Sequence, residues 1–381
     1  MKKIVLIFTT FLILILLAGC NTSTTTNPNE DYCDTGSIEG VYICEKNVTS
    51  YFDTVIFLKL YYNENSTYDV VEIFNYFELT LSTYHKYFDK YHEYTEVNNI
   101  YTINHSSEPV ELSDELFEAI EFIFDYDQFV QSNNEPLFNI ALGPVLDIWH
   151  DARDNTDCDN TIETGISYCP VPSEYIDGIT FNTDLDDIIL NSTNKTISFA
   201  KEDMSIDLGG FAKGYVSQII ADHLDSQHIE FLLNTGNSNV ITGGINPNND
   251  DGQYKIALIR PDTDYHVVNE YYQFVSVPEG LAIVSSGNYQ RFFKGLDDST
   301  VYHHIIDPTT NYPGGYSMGI TVIYPNSAVA DILSTALYLL PIEDAKTFVN
   351  SYDGLEAMWY NYDDTVEYTD GFSQYIYLPG T

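Results

Sequence analysis

The sequence predicts an α+β fold. Three observations carry this: a few segments with helical periodicity, short β-type runs scattered among them, and no regular βαβ alternation of the kind a doubly wound sheet needs. Over residues 69 to about 91, Val70, Ile73, Phe74, Phe77, Leu81, Tyr84 and Phe88 recur at helical intervals, predicting a long amphipathic helix. Ser113 reads as the N-cap of a second helix, with Asp114 and Glu115 in its first turn and Leu116, Ala119, Ile120, Ile123 and Phe124 on one face. Residues 151–186, rich in Asp, Asn, Thr and Pro, read as an irregular insertion. Residues 187–200 read as a hairpin around an Asn-Ser-Thr-Asn turn. Strand-like runs then follow at 229–233, 254–259, 273–277, 282–284, 319–324 and 356–360, mixed with helices at about 211–225, 327–340 and 343–350.

Composition narrows the function classes. The chain of 381 residues carries 57 Asp+Glu against 15 Lys+Arg, a formal charge of −42. A nucleic-acid binder needs a basic footprint, and this chain has few cations with which to build one. The 44% hydrophobic content suffices for a large core, in one large domain or two modest ones. The acidity reads two ways, as a surface that attracts divalent cations or as a charge excess that keeps a Tyr-rich surface soluble.

Lys2 and Lys3 precede an apolar stretch that ends in Leu17-Ala18-Gly19-Cys20. This pattern resembles a bacterial lipoprotein signal peptide. The expectation is a signal peptide at 1–19 and a polar tether at 20–35 that begins with lipidated Cys20, anchoring the protein to the outer face of the cytoplasmic membrane. The apolar stretch is short for a membrane span. The other cysteines, Cys33, Cys44, Cys158 and Cys169, allow three disulfide pairings, and the local pairs 33–44 and 158–169 are equally spaced. A zinc site would more commonly show Cys-x-x-Cys spacing, which is missing from the sequence.

Three constellations carry chemistry. In Asp207-Leu208-Gly209-Gly210-Phe211-Ala212-Lys213-Gly214, a Gly pair before a helix lets backbone approach a ligand, and the free N–H groups of the helix start favour an anion beside Lys213. The motif is neither a Walker A nor a G-x-G-x-x-G, and it reads equally as a tight turn with a surface lysine. In His303-His304-Ile305-Ile306-Asp307-Pro308, a histidine at a strand end is a candidate general base or a structural hydrogen-bonder. In Ala330-Asp331-Ile332-Leu333-Ser334-Thr335-Ala336, Asp331 and Thr335 share one helical face and offer a carboxylate and a hydroxyl to one hard cation, or to a buried hydrogen bond.

In this order and spacing the three resemble the FAD:protein FMN transferase family, also called the ApbE family. Supporting the likeness are Tyr-Phe-Asp-Thr (51–54), Leu-Ser-Thr-Tyr (81–84), Phe-Asn-Ile-Ala-Leu-Gly-Pro (138–144) with Trp149, Asn-Thr-Gly (234–236) and Ser-Ser-Gly-Asn-Tyr (285–289). The resemblance runs from about residue 51 to 340. It implies ApbE-like mixed sheets with flanking helices, a transferase domain at 36–381, and an active site in a cleft between two lobes. It also implies transfer, dependent on Mg2+, of FMN from the substrate FAD to a threonine hydroxyl of an acceptor flavoprotein, with AMP as the leaving group. The physical demand is positioning and charge neutralisation at the pyrophosphate.

Carried over by motif position, Asp331, Thr335 and the Gly210 carbonyl hold the metal, and His304 is the base on the incoming threonine. Phe52, Tyr84, Leu137, Phe138, Asn139, Asp207, Lys213, Ile305 and Ser334 line the FAD site, with core packing as the other role open to Tyr84 and Phe138. Three positions depart from the family pattern. Asn139 stands where Asp is usual, and Asn237 and Asn311 stand where Gly is usual. Asn tolerates left-handed backbone, so the last two fit sterically. The acceptor motif of the family does not appear in this chain, so self-flavinylation is not expected. Competing readings are FAD hydrolysis to FMN and AMP, a non-catalytic lipid-anchored flavin-binding protein, and a solute-binding lipoprotein. The last should comprise two similar lobes and needs no Asp-x-x-x-Thr pair.

Overall fold

A computed structural model describes residues 32–126, 128–159, 166–262, 270–296 and 300–379. The expected signal peptide, Cys20 and most of the tether lie outside them, so the anchoring expectation is not addressed by the structure. Among the described residues no helix is long and apolar enough to cross a membrane.

The backbone is organised by a nine-stranded sheet whose strands follow one another in chain order. They are β1 (Cys33–Thr35), β2 (Val41–Val48), β3 (Ile56–Asn63), β4 (Phe231–Thr235), β5 (Asn239–Gly243), β6 (Ala282–Gly287), β7 (Gly319–Tyr324), β8 (Glu356–Tyr360) and β9 (Val366–Tyr368). Every neighbouring pair is antiparallel. Helices occupy two of the long connections. Between β3 and β4 run α1 (Val70–Phe88), α2 (Ile100–Asn104), α3 (Asp114–Asp125), α4 (Gly143–Arg153) and α5 (Ala212–Ser226), and between β7 and β8 run α6 (Ser327–Tyr338) and α7 (Ile342–Ser351).

Both faces of the sheet centre are covered. Ile241, Val284, Val322 and Ala357 pack with α1, α5 and α6 in the main core. Their chain neighbours Val240, Ile283, Ile323 and Met358 point the other way, into a second core. That core is closed by a three-stranded sheet of Tyr254–Ile259, Tyr271–Val277 and Ile376–Tyr377. A strand apolar on both faces loses the polar alternation of a one-sided sheet. The run Gly-Ile-Thr-Val-Ile of β7 is buried throughout.

A third core gathers Leu142, Val145, Trp149, Cys169, Phe293 and Ile306. Trp149 of α4 lies nearly parallel to Tyr302, ring centroids 5.5 Å apart. The segment read as an irregular insertion contributes here: it starts in the last turn of α4, and its strand Tyr168–Cys169 pairs with Phe292–Gly295. Both local disulfides are formed, Cys33–Cys44 across β1 and β2 and Cys158–Cys169 within the inserted segment.

The cap read at Ser113 holds, accepting from the Leu116 N–H at 3.3 Å, and at α1 the structure adds a cap not read from sequence, Asp69 accepting from the N–H groups of Val71 and Glu72 at 2.8 and 3.2 Å. Strands β2, β3 and β5 and helices α2 and α4 were not among the elements read from sequence.

Helices α5 and α6 approach closely because residue 214 has no side chain. A Cβ there would lie 2.5 Å from both Asp331 Cβ and the Ser327 carbonyl oxygen. Gly214→Ala is therefore expected to lower unfolding stability by about 1–3 kcal/mol, the usual range for forcing a methyl into a packed contact. An unchanged urea midpoint would contradict this packing.

Candidate active site

The loop before α5 is fixed from two sides. Asn104 clamps residue 206 like a neighbouring strand: the Ile206 N–H donates to Asn104 Oδ1 at 2.8 Å, and Asn104 Nδ2 donates to the Ile206 carbonyl at 2.9 Å. The Asp207 N–H then donates to the Ile140 carbonyl at 2.8 Å. Asp207 accepts from the Gly209 N–H at 2.6 Å and pairs with Lys90 at 2.6 Å, and Lys90 also meets Asp147 of α4 at 2.7 Å. Burial alone would raise the Asp207 pKa, but the Lys90 charge and the Gly209 N–H hold it below its ordinary value. Lys90 was missed in the sequence, where nothing in Phe-Asp-Lys-Tyr signals a partner so distant along the chain. Asp207 thus spends its charge on Lys90.

No side chain caps α5 at its N-cap residue Phe211. The neighbouring helix supplies the cap instead: Asp331 Oδ2 accepts the Gly214 N–H, in the first turn of α5, at 2.8 Å. Asp331 is buried, and burial raises its pKa, with Lys213 and the Gly214 N–H acting against that rise. Its Oδ1 takes no hydrogen bond among the described residues. One turn on, Thr335 Oγ1 faces Gly210, lying 3.7 Å from where a Gly210 Cβ would stand, and Phe138 Cε2 lies 3.3 Å from the same point. The structure thus brings Gly210, Thr335 and Asp331 to the junction of α5 and α6. Among the described residues no three His, Cys, Asp or Glu side chains come together. A cation at this junction would rely on one carboxylate plus neutral hydroxyl and carbonyl oxygens. That donor set is hard and oxygen-only, and it suits Mg2+.

His304 follows the strand Val301–His303, which pairs with Phe292–Gly295. Its N–H donates to the Arg291 carbonyl at 3.1 Å. The flanking residues diverge, Ile305 packing into the main core and Ile306 into the Trp149 core, so this segment is the seam between the two bodies. The His304 ring is exposed to solvent yet surrounded by protein mass, as in a recess. That surrounding protein, then His303, Arg291 and Lys213, push its pKa down to about 3. Lys213 is common to the two electrostatic environments of Asp331 and His304, and so joins all three motifs. His303 is buried and accepts the Ile305 N–H at its Nδ1 at 3.3 Å, a structural role.

The remaining predicted residues divide. Phe52 lies beside α1, its N–H donating to His85 Nδ1 at 3.3 Å, and both Phe52 and Asp53 have left-handed backbone, φ 56° and 52°. Tyr84 is buried among Tyr87, Phe88 and Tyr215, which is the packing role left open for it. Leu137 is buried, its N–H on the Val130 carbonyl. Ser334 is fully buried and bonds Ser286 of β6 at 2.8 Å, facing the sheet. Asn139 is engaged at both ends of its amide: Oδ1 accepts from the Ala141 N–H and Nδ2 donates to the Thr183 carbonyl, each at 2.8 Å. Asn237 and Asn311 adopt φ 58° and 63°, the left-handed backbone expected where Gly is usual.

Fold and site together define an α+β enzyme-like body with an oxygen-lined junction beside an exposed histidine. The ApbE family model matches residues 52–359, and the chain belongs to the ApbE family. It is 27% identical over 229 residues to the FAD:protein FMN transferase of Klebsiella pneumoniae (strain 342), a match covering 58% of this chain and 62% of that protein. It is 28% identical over 171 residues to the one from Treponema pallidum, covering 43% and 46%. Each of these matches spans less than two thirds of the relative. Among solved structures it is similar to the ApbE protein of Thermotoga maritima, with TM-score 0.68 and 21% identity over 88% of this chain and 100% of that one. The flavin transferase ApbE from Vibrio cholerae gives 0.64 and 20% over 87% and 99%. At these identities the structural likeness shows the fold.

Two outcomes follow from the site geometry. The His304 ring resonances should titrate below about pH 5 in the flavin-free protein, away from the ordinary value near 6.5; a midpoint at 6 or above (about the ordinary range) would refute the recess. Asn139→Asp should cost about 1–3 kcal/mol in urea unfolding, because a carboxylate cannot donate to the Thr183 carbonyl and leaves it unpaired. Unaltered stability in that variant would remove the amide's structural role.

Proposed function

We propose that the protein is an FAD:protein FMN transferase, moving FMN from FAD to a threonine hydroxyl of an acceptor flavoprotein. The observation that carries the reading is the convergence of Asp331, Thr335 and Gly210 with Lys213 and His304, drawn from three separate stretches of chain. Lys213 and the first turn of α5 supply positive potential where a pyrophosphate would lie, within an otherwise acidic protein. Asp331, Thr335 and the Gly210 carbonyl would hold Mg2+, which when bound supplies neutralisation of charge on the phosphate oxygens.

In the reaction, the threonine oxygen bonds to the FMN phosphorus while the bond from that phosphorus to the bridging oxygen breaks, and AMP leaves with the electron pair. The hydroxyl proton goes to His304. Its depressed pKa leaves the ring neutral at neutral pH and therefore able to accept a proton. Exposure of His304 leaves room for an acceptor segment to reach it. The lipidated Cys20 and tether of the mature chain would place this chemistry at the outer face of the cytoplasmic membrane, with a membrane or extracellular redox flavoprotein as the acceptor.

The mature protein, incubated with FAD, magnesium and a threonine-containing acceptor peptide, is expected to give an FMN adduct on threonine by mass spectrometry, with one AMP released per adduct. His304→Ala should slow this by about 10²–10⁴-fold, the usual worth of a positioned acid–base group. Absence of both adduct and AMP from the wild-type reaction would sink the proposal.

A further inference from the structure

The two disulfides close loops of equal length, each with a sequence separation of 11, but they stand in different surroundings. Cys33–Cys44 joins β1 and β2, already paired through their backbones, at one edge of the nine-stranded sheet. Cys158–Cys169 joins the residues after α4 to the two-residue strand Tyr168–Cys169. Its sulfurs lie against the end of α4, Cys158 Sγ 3.5 Å from the Ala152 carbonyl oxygen and Cys169 Sγ 3.6 Å from that of Arg153. The strand runs parallel to Phe292–Gly295, where the Lys294 N–H donates to the Ser167 carbonyl at 2.9 Å and the Leu296 N–H to the Cys169 carbonyl at 3.1 Å. Phe292–Gly295 pairs in turn with Val301–His303, and the Arg291 carbonyl just before it accepts the His304 N–H at 3.1 Å. A continuous path of backbone pairing thus runs from the disulfide to His304.

Packing fills only one side of the inserted strand. Cys169 is buried in the Trp149 core, whereas Ser167, two residues earlier, borders a cavity of about 280 Å³ that Arg153 and Arg291 also line. With open space on that side, the covalent link to the end of α4 sets where the strand sits. We infer that Cys158 and Cys169 are a positioning pair for His304: joined, they fix the strand that backs the Arg291 carbonyl, and separated, they let His304 drift from where the threonine hydroxyl must meet it. Turnover then depends on the oxidation state of this pair, while FAD binding at the α5–α6 junction does not. The inference rests on the transferase reading above and deepens it, by adding regulation to the same site. Cys158 is half-buried and Cys169 fully buried, so an external dithiol reaches Cys158. Its thiolate bonds to Cys158 Sγ, the protein S–S bond breaks, and Cys169 leaves with the electron pair and takes a proton. The second thiol of the reagent then closes on the first and frees Cys158 as a thiol. The pair gains two electrons and the dithiol is oxidised to a cyclic disulfide.

The test compares two double variants of the mature protein, Cys33→Ala/Cys44→Ala, which retains Cys158–Cys169, and Cys158→Ala/Cys169→Ala. Both open loops of equal length, so the loss of chain restraint is matched and position alone differs. Each is assayed with FAD, magnesium and a threonine acceptor peptide, with and without dithiothreitol. Cys33→Ala/Cys44→Ala is expected to keep the wild-type kcat. Dithiothreitol should lower that kcat by about ten- to a hundredfold, as a displacement of roughly 1 Å at a catalytic group does. FAD affinity by flavin fluorescence should not move, and reoxidation should restore turnover. Cys158→Ala/Cys169→Ala should show the lowered kcat without reductant, and its His304 amide proton should exchange about tenfold faster than in wild-type. Equal kcat in oxidised and reduced protein would overturn the inference and leave the transferase reading intact. So would an equal fall in Cys33→Ala/Cys44→Ala without reductant, or a loss that reoxidation does not reverse. If oxidised wild-type protein modifies no peptide, the transferase reading fails and His304 amide exchange decides the positioning role by itself: faster exchange on reduction supports it, and unchanged exchange overturns it.

Discussion

The hydrogen bond from the Gly214 N–H to Asp331 Oδ2 holds the site together. It requires two helices to touch, which a side chain at 214 would forbid, and it places a carboxylate against the positive end of α5. Everything chemical in the molecule is arranged around this contact. Thr335 lies one turn further along α6, Gly210 lies just before α5, and Lys213 stands in the first turn of α5. The carboxylate gains a helix cap but remains buried, and burial still raises its pKa. A buried acid held in this unrelieved state is suited to a cation, whose charge would offset the desolvation that the protein alone leaves uncompensated.

The strongly acidic composition is thereby compatible with the anionic substrate proposed above. Few cations exist in the chain, and several of them cluster about the site: Lys213 beside Asp331 and His304, Lys90 beneath Asp207, and Arg153 and Arg291 at the adjoining cavity. Lys90 is spent on Asp207 and Asp147 and fixes the glycine loop, so the charge that remains to face a ligand is that of Lys213 and the helix end. Local potential of this kind depends on placement and only weakly on net charge.

Much of this was legible in sequence, for physical reasons that differ by element. Helix α1 announces itself through apolar spacing, and α6 through Asp331 and Thr335 on one face. The left-handed backbone at Asn237 and Asn311 follows from sterics alone. The strands β2, β3 and β5 were harder. The central run Asn-Val-Ile-Thr-Gly of β5 is buried on both sides, so its alternation vanishes. Lys90 and Asn139 show a different limit. Their partners, Asp207 and the Thr183 carbonyl, are distant in sequence, and no local pattern specifies them. Ser334 and Tyr84, assigned by motif position to the flavin site, lie in buried environments facing the sheet and an aromatic cluster.

The central claim is that the Asp331 charge serves the ligand and its hydrogen bond serves the fold. Asp331→Asn separates the two, because the amide oxygen still accepts from Gly214 while the charge is gone. The measurement is FAD affinity by flavin fluorescence, with and without magnesium, alongside urea unfolding. The account predicts that magnesium tightens FAD binding by wild-type protein but not by the variant, and that the variant is as stable as wild-type or more so. Magnesium-dependent tightening preserved in a folded Asp331→Asn protein would contradict it.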